Sequence, residues 1–343
     1  VPILSVDHVT TYRYRQPVGF GEHRLLFRPR DSYDQRLIAA SLAITPEPQA
    51  LHWIHDVFGN CVAVARFRGR AAELRFACRI TLEHTPEPPL AFALAPRAAR
   101  YPFAYDADEV PDLARCIERQ HPGRTVEAWA RGFLDPDGTA DTRALLAAMT
   151  DAVRRDFAYE ARIEKGVQDP AETLRLGRGT CRDFALLMIE AVRALGLAAR
   201  FVSGYIYVPE RDGATTGDVR DGATTGDVRD GATNGDARDG ATIVDARDGA
   251  TGHLGGGSTH AWVQVYLPGA GWVEFDPTNG IVGNRDLIRV AVARHPGQAV
   301  PLHGSWIGRP EDFLDMAVTV RVTEIPAGEV RAGTRAADRL AAD

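Results

Sequence analysis

Two periodicities divide the chain. Up to about residue 90, apolar and polar residues alternate, the two-residue period of half-buried strands. Residues 10–18, 23–30 and 36–44 each predict a strand. Residues 51–56 and 61–67 flank the turn Phe58-Gly59-Asn60 and predict a hairpin, and residues 74–82 alternate throughout. A small antiparallel β domain over residues 1–90 follows. Residues 86–102 are rich in Pro and Ala, and short helices are predicted after Pro111 and over 125–133, so 91–140 reads as a connecting segment. From Asp141 the period lengthens. Leu145, Leu146, Met149, Val153 and Phe157 make one helical stripe behind an Asp141 cap. Phe184, Leu187, Met188, Ala191, Val192 and Leu195 make a second, ended by Gly196. Residues 164–169, between these stripes, read as an unstructured bridge. A strand is predicted over 199–208, and alternation returns in 258–267 and 272–276 around the turn Pro268-Gly269-Ala270-Gly271. The whole is an α+β pattern: β domain first, mixed core over 141–326, and an Ala/Arg-rich flexible tail over 327–343.

One segment fits neither period. Arg-Asp-Gly-Ala-Thr recurs at Arg211, Arg220, Arg229, Arg238 and Arg247, at a strict nine-residue interval. It holds almost no large apolar residue, so burial cannot offset the entropy of ordering it. Residues 211–257 are therefore expected to form a disordered insertion in the core. A calcium-binding β-roll also uses nonapeptide repeats, but the apolar position that such a roll needs is weak here.

Composition excludes several function classes. The 343 residues carry a net charge of −6, against the basic face that nucleic-acid binding requires. No apolar run is long enough to span a membrane, and residues 1–7 lack the basic and apolar regions of a signal peptide; a cytoplasmic location is the expectation. Cys61, Cys78, Cys116 and Cys181 form no CxxC pair and no zinc-like Cys/His cluster. His52 and His55, three apart on a strand, face opposite ways. No glycine run sits in a phosphate-loop context. Neither metal nor cofactor is expected, and oligomeric state is not readable.

The candidate chemistry lies where the second helical stripe begins. Gly177-Arg178-Gly179-Thr180-Cys181 puts Thr180 at the N-cap and Cys181 in the first turn. The helix dipole favours a thiolate there, and free N–H groups can hold an oxyanion. The plain alternative is a small buried thiol. His260 and Asp276 change the balance. They lie sixteen residues apart across the predicted hairpin, an even separation that keeps both on one face, directly opposite or diagonal according to the loop. Cys181 would then be the nucleophile, His260 the proton carrier and Asp276 the group that orients the imidazole.

Three segments, Gly179-Thr180-Cys181-Arg182-Asp183-Phe184-Ala185, Thr259-His260-Ala261-Trp262 and Trp272-Val273-Glu274-Phe275-Asp276-Pro277-Thr278-Asn279, resemble the Cys, His and Asp motifs of the bacterial transglutaminase-like superfamily. His8-Val9-Thr10-Thr11-Tyr12-Arg13-Tyr14, Pro29-Arg30 and Asp56-Val57-Phe58-Gly59-Asn60 are similar to its N-terminal β domain, and residues 288–294 extend the likeness. The resemblance implies a papain-like core with the triad Cys181, His260 and Asp276, and acyl transfer through a thioester. Asp183 belongs to the cysteine motif, with a structural role expected. Hydrolysis of an amide or isopeptide bond in a peptide or protein is the favoured reading. Transfer to an amine and a non-catalytic peptide-binding module are the alternatives.

Overall fold

The structure is a computed structural model that describes residues 1–160, 166–208, 254 and 257–326, with the backbone of 235 and 236. It opens with β1 (Ile3–Leu25), β2 (Gln35–Thr45), β3 (Ala50–His55), β4 (Cys61–Arg66) and β5 (Arg70–His84). The strands expected over 10–18 and within 23–30 are one 23-residue strand, and residues 26–30 lie outside it. Pro17, which has no N–H for a ladder, is accommodated where pairing with β5 skips from Arg13 to Val18. A further irregularity against the C-terminal strands lies between Phe20 and His23. Bulges of this kind bend a strand without ending it, so β1 can join two parts of a curled sheet. The predicted hairpin is β3–β4, with His55 opposite Cys61.

The connection carries β6 (Arg100–Tyr101), α1 (Val110–Ile117), α2 (Arg124–Arg131) and β7 (Ala140–Asp141). Then come α3 (Thr142–Asp156), β8 (Ala158–Tyr159), α4 (Pro170–Leu176), β9 (Arg178–Gly179) and α5 (Cys181–Ala194). Asp141 caps α3 as expected, accepting from the Ala144 N–H at 2.9 Å. The expected bridge before α4 is more ordered than its composition suggests. Asp169 caps α4, and the Gln168 N–H donates to Asp183; residues 161–165 lie outside the described residues.

Five antiparallel strands form the core sheet in the order β14-β13-β12-β10-β15: β10 (Ala199–Ile206), β12 (His260–Leu267), β13 (Gly271–Asp276), β14 (Ile281–Val282) and β15 (Leu287–Ala293). The repeat insertion falls almost wholly outside the described residues; the backbone of β11 (Gly235–Asp236) pairs with β16 (Leu302–Ile307). The chain then returns to its beginning. β16 and β17 (Phe313–Ile325) both pair with β1, so residues 302–325, grouped with the core on sequence, complete the first sheet.

Helix α5 is buried nearly all round, with Phe184, Leu187, Met188 and Val192 packed against Phe201, Val263 and Phe275 of the sheet and Leu146 and Met149 of α3. A second core fills the N-terminal sheet and takes in Tyr205 and Ile288 from the core sheet. A buried polar network also crosses between the sheets. Arg289 on β15 pairs with Asp34 at 3.0 Å and with Glu274 on β13, and Gln264 donates to Glu274 at 2.7 Å. No helix among the described residues is long and apolar enough to cross a membrane.

Candidate active site

Gly177, in the left-handed region at φ 62°, ends α4 and turns the chain into β9. Gly179 follows with no room for a side chain, since a Cβ there would lie 2.9 Å from the Asp183 Cβ. Thr180 then caps α5 in a reciprocal box: its hydroxyl faces the Asp183 N–H, and the Asp183 carboxylate accepts the Thr180 N–H at 2.9 Å. The same carboxylate accepts from the Thr180 hydroxyl and the Gln168 N–H. Asp183 is fully buried. Its role is to fix the helix entrance, as expected. Cys181 is thereby held as the first residue of α5, where N–H groups have no acceptor within the helix. Its side chain is 6 % exposed.

The hairpin register, with Tyr266 opposite Trp272 and Gln264 opposite Glu274, makes His260 and Asp276 diagonal neighbours on one face. The His260 Nε2–H donates to Asp276 Oδ2 at 2.8 Å, with both side chains wholly buried. Asp276 is itself surrounded by donors. The Thr278 N–H reaches Oδ1 at 2.9 Å and the Asn279 amide reaches Oδ2 at 2.7 Å. Burial alone would push this carboxyl up; His260 and these donors outweigh it and hold it below the usual carboxylate range. Burial likewise works against the His260 cation, but Asp276, and then Cys181, outweigh it and raise the imidazole to about 10. Trp262 stacks on the imidazole with centroids 5.9 Å apart. Gly204, the register partner of His260, leaves space for that indole: a Cβ would lie 2.7 Å from its Cη2.

The structure therefore brings all three predicted side chains together. Cys181 is close enough to support the charged imidazole, yet His260 Nδ1, the nitrogen turned away from Asp276, makes no well-aligned hydrogen bond. The thiol and imidazole are adjacent without being locked, as often holds before substrate tightens such a contact.

Two neighbours were not foreseen. Asn279 is the third donor to Asp276 and also exchanges hydrogen bonds with the Leu254 backbone; its place within the Asp motif was the available signal. Tyr159 is 9 % exposed, and its buried hydroxyl lies beside the Cys181 thiol without a well-aligned hydrogen bond. Burial, and then the Cys181 charge, raise its phenol well above the ordinary value. It reaches the thiol because β8 runs parallel to β9, with Tyr159 beside Gly179. Nothing local in the sequence announces that two-residue pairing. Among the described residues no group of three His, Cys, Asp or Glu side chains could hold a metal, and His52 and His55 occupy β3 as exposed residues.

A thiol at a helix entrance beside a buried His–Asp pair is the arrangement of thiol-dependent acyl-transfer proteins. Residues 4–83 match the bacterial transglutaminase-like N-terminal region, and residues 127–277 match the transglutaminase-like superfamily. The chain belongs to the bacterial transglutaminase-like superfamily, a family of thiol-dependent acyl-transfer and hydrolytic proteins. It is 27 % identical over 327 residues to an uncharacterized protein of Mycobacterium tuberculosis, covering 92 % of this chain and 91 % of that one. It is 26 % identical over 337 residues to an uncharacterized protein of Mycobacterium leprae, covering 92 % and 98 %. The fold is similar to the crystal structure of a candidate cysteine protease from Cytophaga hutchinsonii, with TM-score 0.63, 17 % identity and coverage of 95 % and 91 %.

Proposed function

We propose that this protein hydrolyses an amide or isopeptide bond in a peptide or protein substrate through a thioester on Cys181. The observation that carries the reading is the buried His260–Asp276 hydrogen bond beside a thiol on the first residue of a helix. The Cys181 thiolate attacks the carbonyl carbon. The carbonyl π electrons move to oxygen, and the oxyanion is met by the Cys181 N–H and the Tyr159 hydroxyl. Collapse expels the amine, which takes its proton from the His260 imidazolium. The now neutral imidazole removes a proton from water, and hydroxide adds to the thioester; the C–S bond breaks to re-form the thiolate beside the imidazolium, and the released carboxylic acid gives up its proton to solvent. Asp276 keeps the imidazole oriented and its cation stable throughout.

Incubation of the chain with a peptide library, with and without a primary amine, separates the possible reactions. Mass spectrometry should find newly released carboxylates in both samples and in neither with Cys181→Ala. Tyr159→Phe should lower kcat by about 10²–10³-fold, the usual loss for one oxyanion donor, with KM little changed. Amine adducts as the main product would assign the chain to transferases instead. Absence of turnover, with Cys181 inert to iodoacetamide, would mean a binding module.

A further inference from the structure

A second site is suggested by charges that share a cleft without meeting. The cleft, about 660 Å³, lies between α1, the turn end of the β12–β13 hairpin and the turn that links β3 to β4. Arg200 on β10 lies over the Trp272 ring at 4.0 Å, and its Nε–H donates to Gln264 at 2.8 Å. Stacking uses the face of a guanidinium, whereas its N–H groups point outward in the plane. No carboxylate among the described residues is within ion-pair distance of Arg200. Burial pulls its pKa down to about 10, the mark of a cation without enough compensation. Arg294, on the same wall, has a buried Nε–H with no partner. The opposite wall is α1. There Glu109 accepts the Tyr266 hydroxyl through Oε1, while Oε2 is buried and unpartnered. The other charges do not alter this pattern: Arg115 is paired with Glu118 at 2.6 Å, and Asp112 adds a second acid on the Glu109 side.

Unpaired buried charge is costly, and these opposite charges do not neutralise one another across the gap. A ligand that bears both signs would neutralise them together. We propose that the cleft binds an α-amino acid as its zwitterion: carboxylate on the Arg200 and Arg294 guanidinium groups, ammonium on Glu109, and an apolar side chain against Leu113 and Phe58. The site is separate from Cys181. Arg200 precedes Gly204, the partner of His260, by four residues, roughly 13 Å along an extended strand. The proposal is therefore independent of the hydrolytic reading.

Isothermal titration with three probes tests it. L-leucine should bind the full chain saturably, with Kd in the millimolar range or tighter. N-acetyl-L-leucine, which lacks the ammonium, and L-leucinamide, which lacks the carboxylate, should each bind at least about tenfold more weakly, a loss of about 1.4 kcal/mol. Arg200→Gln and Glu109→Gln, on different elements, should each weaken L-leucine binding by a similar factor; circular dichroism identifies any variant that fails to fold, and the other then carries the test. No saturable L-leucine binding, equal affinity for the acetylated or amidated probe, or unchanged affinity in a folded variant would overturn the proposal.

Discussion

His260 shows how two neighbours can reverse the effect of burial. A wholly buried imidazole normally loses its proton more readily, as His8 does: burial lowers it to about 3. At His260, Asp276 and Cys181 drive the change in the opposite direction. The sign then dictates the pH response. A raised histidine pKa contributes stability that is complete below about 6.5, the unfolded value, and is lost as pH rises through about 10. Asp276, held low, contributes stability that is present above about 3.9 and is lost as pH falls through its depressed folded value. Thermal unfolding of the wild type should therefore weaken from near neutrality towards pH 10, and Asp276→Asn should flatten that decline. On the proposed mechanism, the same variant should lower turnover by about 10²-fold or more and shift the alkaline limb of the kcat/KM profile to lower pH. A limb that does not move would mean that Asp276 does not govern the imidazole.

At the scale of elements, the entrance to α5 depends on one carboxylate that accepts from Thr180 and Gln168. Asp183→Ala orphans the Thr180 N–H, the Thr180 hydroxyl and the Gln168 N–H, at about 1–3 kcal/mol for each donor left buried and unsatisfied. The denaturation midpoint should fall clearly, and Asp183→Asn should recover part of the loss because its amide oxygen still accepts. Equal midpoints for wild type and Asp183→Ala would remove Asp183 from this role. Elements were also where the sequence was most legible. The stripe from Phe184 to Leu195 has one helical reading, and the even spacing from His260 to Asp276 survives either loop register. Legibility ended where two separate segments decide the outcome. Alternation marks a strand without naming its partner, so the return of residues 302–325 to β1 was hidden. Residues 19–22 separated two predicted strands because a bulge that carries one strand onward cannot be inferred from that strand alone. Tyr159 reaches Cys181 through a two-residue parallel pairing too short to carry a periodic signal.

Across the whole molecule, the two sheets are joined by apolar packing and by Arg289. That side chain answers two largely buried acids, Asp34 in the bend before β2 and Glu274 on β13 of the core sheet. Burial drives the Glu274 carboxyl up even with Arg289 beside it. Arg289→Met would leave both acids uncompensated and should destabilise the protein by about 3–5 kcal/mol, as expected for one partner removed from a buried ion pair. Chemical denaturation can measure this. A triple variant that also carries Asp34→Asn and Glu274→Gln should recover much of the loss, and a single variant as stable as wild type would show that packing alone joins the sheets. The pairing of β1 with β17 has a different consequence, in the order of events during synthesis. Ile3 finds its partner in Ile325, so β1 cannot complete its sheet until β17, about 300 residues later, has also left the ribosome. Until then one side of β1 lacks its final neighbour, and a nascent chain stalled before residue 302 would be a natural client for chaperones that guard unpaired strand edges.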